Sequence, residues 1–213
     1  MLITKRKQVN CFLRYFRMEK VEIDEFEKEI NIIHDVDLIM HDMKTVNQLC
    51  TQQYYKHKKG CPNFNRKNGC PPTIYHISQE YDLSSIHLLY VKFPFLDYIS
   101  KKGEIHSDRN LRQLANQRHW QGHLRSSLDM YWGSIRKDYP YYRKISNPEG
   151  QGVNVEDTLK QYDIQMDWCK KDEQENIVEV PEYMYYVYLI GKSNYGVGIS
   201  NEGESNGSYT QLD

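Results

Sequence analysis

The sequence predicts an α+β fold, with an α/β sandwich as the variant, in a single compact domain that has a small mixed sheet and one long helix. Two observations predict this class. Ile86–Phe93 and Met184–Ile190 are apolar runs of strand length, rich in β-branched and aromatic residues. Between them, Asn110–Ile135 repeats apolar residues near one face at helical spacing, and Pro140 ends this helix. Strands that alternate with helices in this way are typical of a sheet covered by helices.

The other predicted elements are shorter. Helices are predicted from the candidate cap Asp24 to Ile33, over Met43–Gln53, and over Val155–Tyr162 with Asn154 as cap. Further strands are predicted at Val9–Met18, which contains Cys11, at Val36–Met40 and at Ile164–Cys169. The polar segment Lys101–Asp108 contains a glycine and is expected to be a loop.

The length of 213 residues suits one domain, which we assign to residues 1–192. Residues 193–213 are rich in Gly, Ser and Asn, and we expect them to form a disordered, flexible tail. The charged start MLITKRKQ is not a secretory signal, and no stretch approaches the roughly 20 apolar residues of a membrane span. We therefore expect a cytoplasmic protein that does not contact a membrane. The oligomeric state stays open.

The net charge of −1 hides an uneven distribution. Between Lys44 and Ser78 there are six basic residues and no acidic one, and between Lys101 and Ile145 ten basic residues face four acidic ones. From Ser146 onward four lysines face thirteen acidic residues. The basic middle fits an anionic ligand, either a nucleic acid or a phosphorylated molecule. Alternatively, the basic and acidic parts cover each other in the fold.

Three of the five cysteines, Cys50, Cys61 and Cys70, lie in one basic stretch, and prolines directly follow the last two. Clustered cysteines in a reducing compartment bind metal more often than they pair as disulfides. Their spacing is wider than that of a zinc knuckle, so a wrapped loop would have to bring them together. The lysines and Arg66 around them are expected to lower the pKa values of the thiols. Three reduced cysteines without a metal remain the alternative.

Three segments resemble an uncharacterised family of predicted metal-binding proteins. They are CPNFNRKNGCPP from Cys61, ANQRHWQGHLR from Ala115, and NPEGQGVNVEDTLKQYDIQMDW from Asn147. The resemblance implies an iron–sulfur cluster or another metal at Cys50, Cys61 and Cys70, and no assigned reaction. Three cysteines on a 4Fe-4S cluster leave one iron open, unless a fourth ligand closes the site. The candidates for that ligand are Cys169, His57 and His76.

The predicted long helix carries the other candidate residues. Its cations and aromatic ring could bind phosphates and stack on bases, and this substrate set is Arg112, Arg118, His119, Trp120, His123 and Arg125. His119 and His123 are four residues apart and would share a helical face, which suits a structural zinc site together with Cys61 and Cys70. The other interpretation is a tryptophan in the core and solvated polar residues.

Three functions are therefore considered. The first is an iron–sulfur protein, with an enzymatic role on a nucleotide or RNA-like substrate left open. The second is a zinc-stabilised module that binds nucleic acid or protein without catalysis. The third is an interaction protein without a metal. The sequence does not identify a reaction.

Overall fold

A computed structural model of the protein describes residues 23–53 and 57–195. The predicted strand Val9–Met18, with Cys11, and residues 196–213 of the predicted tail lie outside the described residues. The first residues of that tail contact the domain: Ser193 forms a β-bridge with Tyr81, and the Asn194 amide donates to the Glu80 carbonyl at 2.9 Å.

The described elements are short helices around one sheet. The strands are β1 (Glu29–Ile33), β2 (His87–Pro94), β3 (Tyr142–Ile145), β4 (Lys170–Lys171), β5 (Ile177–Glu179) and β6 (Tyr183–Lys192). The α-helices are α1 (Met43–Thr51), α2 (Ile77–Glu80), α3 (Phe95–Ile105), α4 (Leu111–Leu114), α5 (Gln121–Ile135) and α6 (Val155–Lys160). Single 3₁₀ turns lie at Ile23–Glu25, Leu83–Ser85, Gln117–His119, Arg136–Asp138 and Glu149–Gln151.

Four strands form the main sheet in the order β1-β2-β6-β3, and β4 and β5 form a separate two-stranded ribbon. Every described pairing is antiparallel. The small sheet expected from the sequence is therefore present, and the α+β class is confirmed. The two strands predicted most directly, at Ile86–Phe93 and Met184–Ile190, are β2 and β6, which pair along their whole length at the centre.

Both faces of the central strands are covered, and the side chains of β2 alternate between them. Leu89, Val91 and Phe93 pack in the first core cluster, which includes Leu124 and Leu128 of α5. Leu88 and Ile86 pack in the second core cluster, with Ile145, Val153 and Leu159 among its members. The sheet thus lies between α3 and α5 on one side and α6 on the other, which is why β2 reads as a continuous apolar run.

Two predictions about the first half of the chain are wrong. The segment predicted as a helix up to Ile33 is strand β1, because Ile30 and Ile32 pack on the first core cluster while Glu29 pairs with Lys92 across the strands at 3.2 Å. Residues 101–105 of the loop predicted at Lys101–Asp108 form the second half of α3, and residues 106–108 are turn as predicted. Its Lys102 side chain is buried, which the polar composition concealed.

The long helix predicted over Asn110–Ile135 is interrupted. Asn110 caps α4 in a capping box with Gln113, and the Asn116 side chain accepts a hydrogen bond from the Arg118 amide. Asparagine side chains that bond nearby amides compete with helix formation, so the helix stops and α5 begins anew at Gln121. The predicted strands at Val36–Met40 and Ile164–Cys169 are also wrong. In the described chain the first contributes one bridge, from Met40 to Val153.

Lys102 is an unusual core residue because its side chain carries charge at 5% exposure. Its ammonium group donates to the Leu114 carbonyl at 2.9 Å and contacts the Tyr98 hydroxyl at 3.2 Å. Burial, and then the nearby charge of Arg109, lowers the pKa of Lys102 to about 8.

This lowered pKa gives a prediction about the pH dependence of stability. Between about pH 8 and the ordinary lysine value of about 10.5, the unfolded chain holds the proton that the folded chain has lost. The free energy of unfolding is therefore expected to rise with pH across that window, by at most about 3 kcal/mol, and Lys102 contributes no slope below it. Denaturant unfolding at several pH values, with Lys102→Met as the comparison, measures this slope. Equal slopes for the two proteins would contradict the prediction.

Candidate metal centre and cleft

Helix α1 places Cys50 in its last turn. Asp42 caps the helix by accepting a hydrogen bond from the Thr45 amide at 2.7 Å, which satisfies one of the free amides of the first turn. Val46 is buried and anchors the helix to the domain. The helix ends at Thr51, as the sequence predicted to within two residues, and Cys50 lies half-buried at that end.

The second cysteine is held against the end of α1 by its backbone. The Cys61 amide donates to the Cys50 carbonyl at 2.7 Å, and this carbonyl is one of the free acceptors at the C-terminus of the helix. Gly60 makes the approach possible, because it has φ +78° and a Cβ at that position would lie 2.5 Å from the same carbonyl oxygen. Gly60 thus brings the cysteine loop onto the helix.

The segment from Cys61 to Thr73 is a series of tight turns that leads to Cys70. The Phe64 amide bonds the Cys61 carbonyl at 3.1 Å, and the Cys70 amide bonds the Lys67 carbonyl at 3.1 Å. The Asn65 amide donates across the loop to the Pro71 carbonyl at 2.8 Å. This last hydrogen bond closes the loop. The positions of its cysteines are set by these local turns and not by a helix or strand.

The three thiols influence one another electrostatically. Burial is the main cause that raises the pKa of Cys50, and negative charge on Cys61 and on Cys70 raises it further. Burial also raises the pKa of Cys70, while Lys67 and a hydrogen bond from Asn147 act in the opposite direction. The expectation that nearby basic residues lower the thiol pKa values is therefore wrong for Cys50 and Cys70, because desolvation outweighs the cations.

The possible ligands do not form a preassembled metal site. Within residues 23–53 and 57–195, no group of three or more His, Cys, Asp or Glu side chains is placed so that it could hold a metal ion. Cys169 packs against the first core cluster, and burial there raises the pKa of its thiol. His57 is exposed. The structure does not bring either of these residues to the three thiols as a fourth ligand.

His76 uses both of its ring nitrogens in hydrogen bonds. Its Nδ1 accepts from the Ser78 amide at 3.3 Å and lies 2.7 Å from the Ser78 hydroxyl, while its Nε2 lies 3.2 Å from the His41 carbonyl. Both ring nitrogens are therefore used to cap α2 and to hold the segment before α1. A metal-binding role for His76 would have to replace one of these hydrogen bonds, and it stays a prediction.

A cleft of about 990 Å³ opens beside Cys70. Its walls come from the cysteine loop, the start of α5, the segment 144–151 and the centre of β6. Six carboxamides line it: Asn63, Asn68, Gln117, Gln121, Asn147 and Gln151. Six aromatic residues also line it: Tyr75, Tyr81, Trp120, Trp168, Tyr185 and Tyr186. This lining combines hydrogen-bonding groups with large apolar faces, which is typical of a site for a small molecule.

Asn147 joins the cleft to the cysteine loop. Its amide nitrogen donates to the Gly69 carbonyl at 2.7 Å and lies 3.7 Å from the Cys70 sulfur. Gly150 leaves room for this side chain, since a Cβ at Gly150 would lie 2.3 Å from the Asn147 amide nitrogen. The turn predicted at Asn147–Gly152 thus holds the Asn147 side chain against Gly69 and the Cys70 sulfur.

The same turn is joined to the segment before α1. The His41 amide donates to the Gly152 carbonyl, and the Asn154 amide donates to the Ile39 carbonyl, both at 2.7 Å. Gly152 has φ +99°, and a Cβ there would lie 2.6 Å from the ring of His76. The cysteine loop, α1 and the wall of the cleft are therefore connected through backbone hydrogen bonds.

Charges of both signs line the cleft, three cations and three carboxylates: Lys67, Arg125, Lys144, Glu80, Glu149 and Asp167. Several have partners in the protein. Glu80 accepts from the Gln151 amide at 2.5 Å, and the Arg125 Nε donates to the Tyr186 hydroxyl at 3.0 Å. Glu149 is exposed by surface area and lines the cleft, and desolvation raises the pKa of its carboxyl.

The structure separates the substrate residues predicted on the long helix. Arg125 and Trp120 line the cleft, but Trp120 is only 3% exposed and packs edge-on against Phe95 with ring centroids 5.2 Å apart. Arg112 bonds the Glu175 carbonyl at 3.0 Å, and Arg118 is exposed on the 3₁₀ turn. The prediction that Trp120 stacks on bases is wrong, since its ring is a core element.

The histidine pair is also separated. His119 ends the 3₁₀ turn, His123 lies in the first turn of α5, and Trp120 between them has φ −134°, outside helical geometry. Burial, and then the charges of Lys102 and other cations, lowers the pKa of His119. The prediction that the two histidines share one helical face, as a zinc site with Cys61 and Cys70 requires, is wrong because the helix is interrupted.

Sequence reasoning missed the wall that faces Cys70. Asn147, Glu149 and Gln151 lie in a segment that was interpreted as a turn, although it is one of the three segments that carry the family resemblance. The alternation of small and polar residues in NPEGQG was the available signal.

In comparisons with known proteins, no family model matches the chain, and neither a curated protein nor a solved structure matches it. The resemblance inferred from the cysteine motif therefore stays a prediction. Among the helices of the described residues, none has the length and apolar character needed to cross a membrane.

Proposed function

We propose that the chain is a metal-binding protein in which Cys50, Cys61 and Cys70 hold an iron–sulfur cluster beside a substrate cleft. The observation that carries this proposal is the attachment of the cysteine loop to the end of α1, where the Cys61 amide donates to the Cys50 carbonyl at 2.7 Å. Three thiols supplied by one helix end and one closed loop are a donor set of the type that binds iron–sulfur clusters and zinc.

The raised thiol pKa values argue against a nucleophilic cysteine. A cysteine nucleophile is activated by a lowered pKa, whereas burial keeps Cys50 and Cys70 protonated near neutral pH. Metal binding releases these protons and draws the thiols together from their open arrangement. Lys67 then offsets part of the negative charge that the thiolates acquire.

The cleft supplies the second half of the proposal. Cys70 is the member of the cysteine set that lines it, so a bound substrate would lie next to the metal site. Lys67, Arg125 and Lys144 could bind an anionic group of that substrate, and the tyrosines could pack on its apolar part. A nucleotide-like molecule meets these requirements. The buried position of Trp120 makes the alternative, a zinc-stabilised module that stacks nucleic acid bases, less well supported.

Metal analysis tests the proposal. Protein prepared without oxygen, or reconstituted with iron and sulfide, is expected to contain both elements in comparable amounts and to absorb visible light broadly. The double variant Cys61→Ser/Cys70→Ser is expected to lose both elements. Cys169→Ser, which changes a cysteine that packs against the core, is the matched control and should keep them.

Two results would decide against an iron–sulfur cluster. About one zinc per chain without sulfide would establish the zinc alternative, particularly if a chelator unfolds the protein. Colourless protein that takes up no metal, with a double variant as stable as the parent, would establish a chain that functions without metal.

A further inference from the structure

Strand β6 is paired along its whole length on one side and along only part of it on the other. On the β2 side, the pairing runs without interruption from Tyr183 to Ile190. On the opposite side, β3 pairs with residues 189–192 and ends there. Among the described residues no strand continues beyond β3 along β6, so residues 183–188 have a free edge. We call this stretch the β6 edge.

Hydrogen bonds at both ends of β6 show which backbone groups point toward β2. The Lys192 amide donates to the Ser85 hydroxyl at 2.9 Å, and the Lys192 carbonyl accepts from the Asp82 amide at 2.9 Å. At the other end, the Glu182 carbonyl accepts from the Leu96 amide at 3.1 Å. These partners directly precede or follow β2. Because the direction alternates along an antiparallel strand, the even-numbered residues of β6 face β2 and the odd-numbered ones face away from it.

Tyr185 and Val187 therefore direct their backbone groups toward the β6 edge. Within residues 23–53 and 57–195, no hydrogen bond joins the amide or the carbonyl of either residue on that side. Both residues are half-buried and line the cleft. Two donors and two acceptors at strand spacing thus point into the cleft, and such a row is a template for a further strand.

The walls beside the β6 edge differ in chemistry on the two faces of the sheet. Val187 and Met166 both pack against the second core cluster and line the cleft, so this wall is apolar. Tyr186 packs against the first core cluster, and its hydroxyl accepts from the Arg125 Nε at 3.0 Å, so the other wall carries a cation. A strand added at this edge would place successive side chains alternately against the two walls.

We propose that the β6 edge binds an extended peptide segment of a partner protein by strand addition, in line with β3. An antiparallel peptide would use all four backbone groups, since two of its residues would each exchange two hydrogen bonds with Val187 and Tyr185. Those two side chains would lie on the apolar wall, and the side chain between them would face Arg125. The preferred sequence is therefore apolar, acidic, apolar. A phosphate backbone carries no N–H donor and does not match this row.

This inference goes beyond the proposed metal-binding function. It assigns a ligand to the β6 wall of the cleft, whereas Cys70 and Lys67 belong to the wall formed by the cysteine loop. Strand addition does not require a metal. The double variant Cys61→Ser/Cys70→Ser is therefore expected to bind peptide like the parent, even if the metal proposal fails.

Fluorescence anisotropy of the whole chain with a labelled, end-blocked peptide, Gly-Ser-Val-Glu-Val-Ser-Gly, tests the proposal. Saturable binding is expected. The same peptide with N-methyl groups on both valines cannot donate from these positions, and it should bind at least about tenfold more weakly. A peptide with lysine in place of glutamate should also bind about tenfold more weakly, because it would face Arg125 with a like charge.

Protein variants locate the binding to the β6 edge. Val187→Pro removes a donor that forms no ladder bond in the described chain, and it is expected to weaken binding about tenfold. Arg125→Gln should weaken binding of the glutamate peptide by a similar factor. Arg136→Gln, which removes an exposed charge just after α5, is the matched control and should bind like the parent. Circular dichroism verifies that Val187→Pro is folded, and the methylated peptide provides the same test without a change in the protein.

Three results would overturn the proposal. The first is the absence of saturable binding by the parent chain. The second is equal affinity for the plain and the N-methylated peptide, since strand addition depends on the backbone donors. The third is a concentration-dependent dimer that Val187→Pro abolishes, which would assign the β6 edge to a second copy of this chain.

Discussion

Trp120→Ala is expected to destabilise the domain by about 3–5 kcal/mol, the usual cost of removing a buried aromatic side chain. The ring is 3% exposed and packs edge-on against Phe95. Its Nε1 donates to the Ala115 carbonyl at 3.3 Å, inside the break between α4 and α5. The substitution would leave a cavity in the first core cluster and remove the hydrogen bond that fixes this break.

Denaturant unfolding measures this cost, and Trp168→Ala is the control. Trp168 lines the same cleft but is 58% exposed, and its Nε1 bonds Glu156 at 3.1 Å. Its replacement is expected to cost about 1 kcal/mol or less. If Trp120 served only to stack on a ligand, Trp120→Ala would change the free energy of unfolding as little as the control does.

Gly60→Ala is expected to separate the cysteine loop from α1 and to weaken metal binding by more than tenfold. A Cβ at this position would lie 2.5 Å from the Cys50 carbonyl oxygen and 2.7 Å from the Thr51 backbone. Backbone atoms cannot rotate away as a side chain can, so the hydrogen bond from the Cys61 amide to Cys50 would break. The thiols of Cys50 and Cys61 would then no longer be held near each other.

Gly69→Ala provides the matched control, because Gly69 also has φ +78° but a Cβ there would meet no atom within 4 Å. Both variants carry the left-handed backbone cost of about 1–2 kcal/mol, and only Gly60→Ala adds the overlap. Iron or zinc affinity, measured by competition with a chelator, should therefore fall much further in Gly60→Ala. Equal affinities would show that the contact between Gly60 and α1 does not organise the site.

The α+β class could be predicted because β2 and β6 are buried on both faces and therefore read as continuous apolar runs. The cap at Asn154 also gave a correct helix start, since its side chain accepts a hydrogen bond from an amide of the first turn. The break near Trp120 could not be predicted from periodicity, because the apolar spacing continues across it. The side-chain hydrogen bonds of Asn110 and Asn116 end the helix near Trp120, although the apolar pattern favours a continuous helix.

The candidate site was only partly accessible from the sequence. The composition of the cysteine loop marks it as a candidate site. The pKa values of Cys50 and Cys70, however, depend on burial, which cannot be predicted from composition. The cleft depends on contacts over long sequence separations, such as that between Asn147 and Gly69, and no local pattern announces them. The burial of Lys102 was also hidden, since the segment around it is polar in composition.

Helix α1 has a mechanical consequence that follows from its two attachments. Its C-terminal carbonyl is bound by Cys61, and the segment just before it is bound through His41 to Gly152 in the wall of the cleft. A displacement of the loop at one end of α1 would therefore act on the cleft wall at the other end. If the proposed metal draws the thiols together, a molecule bound in the cleft would by reciprocity alter the affinity for that metal.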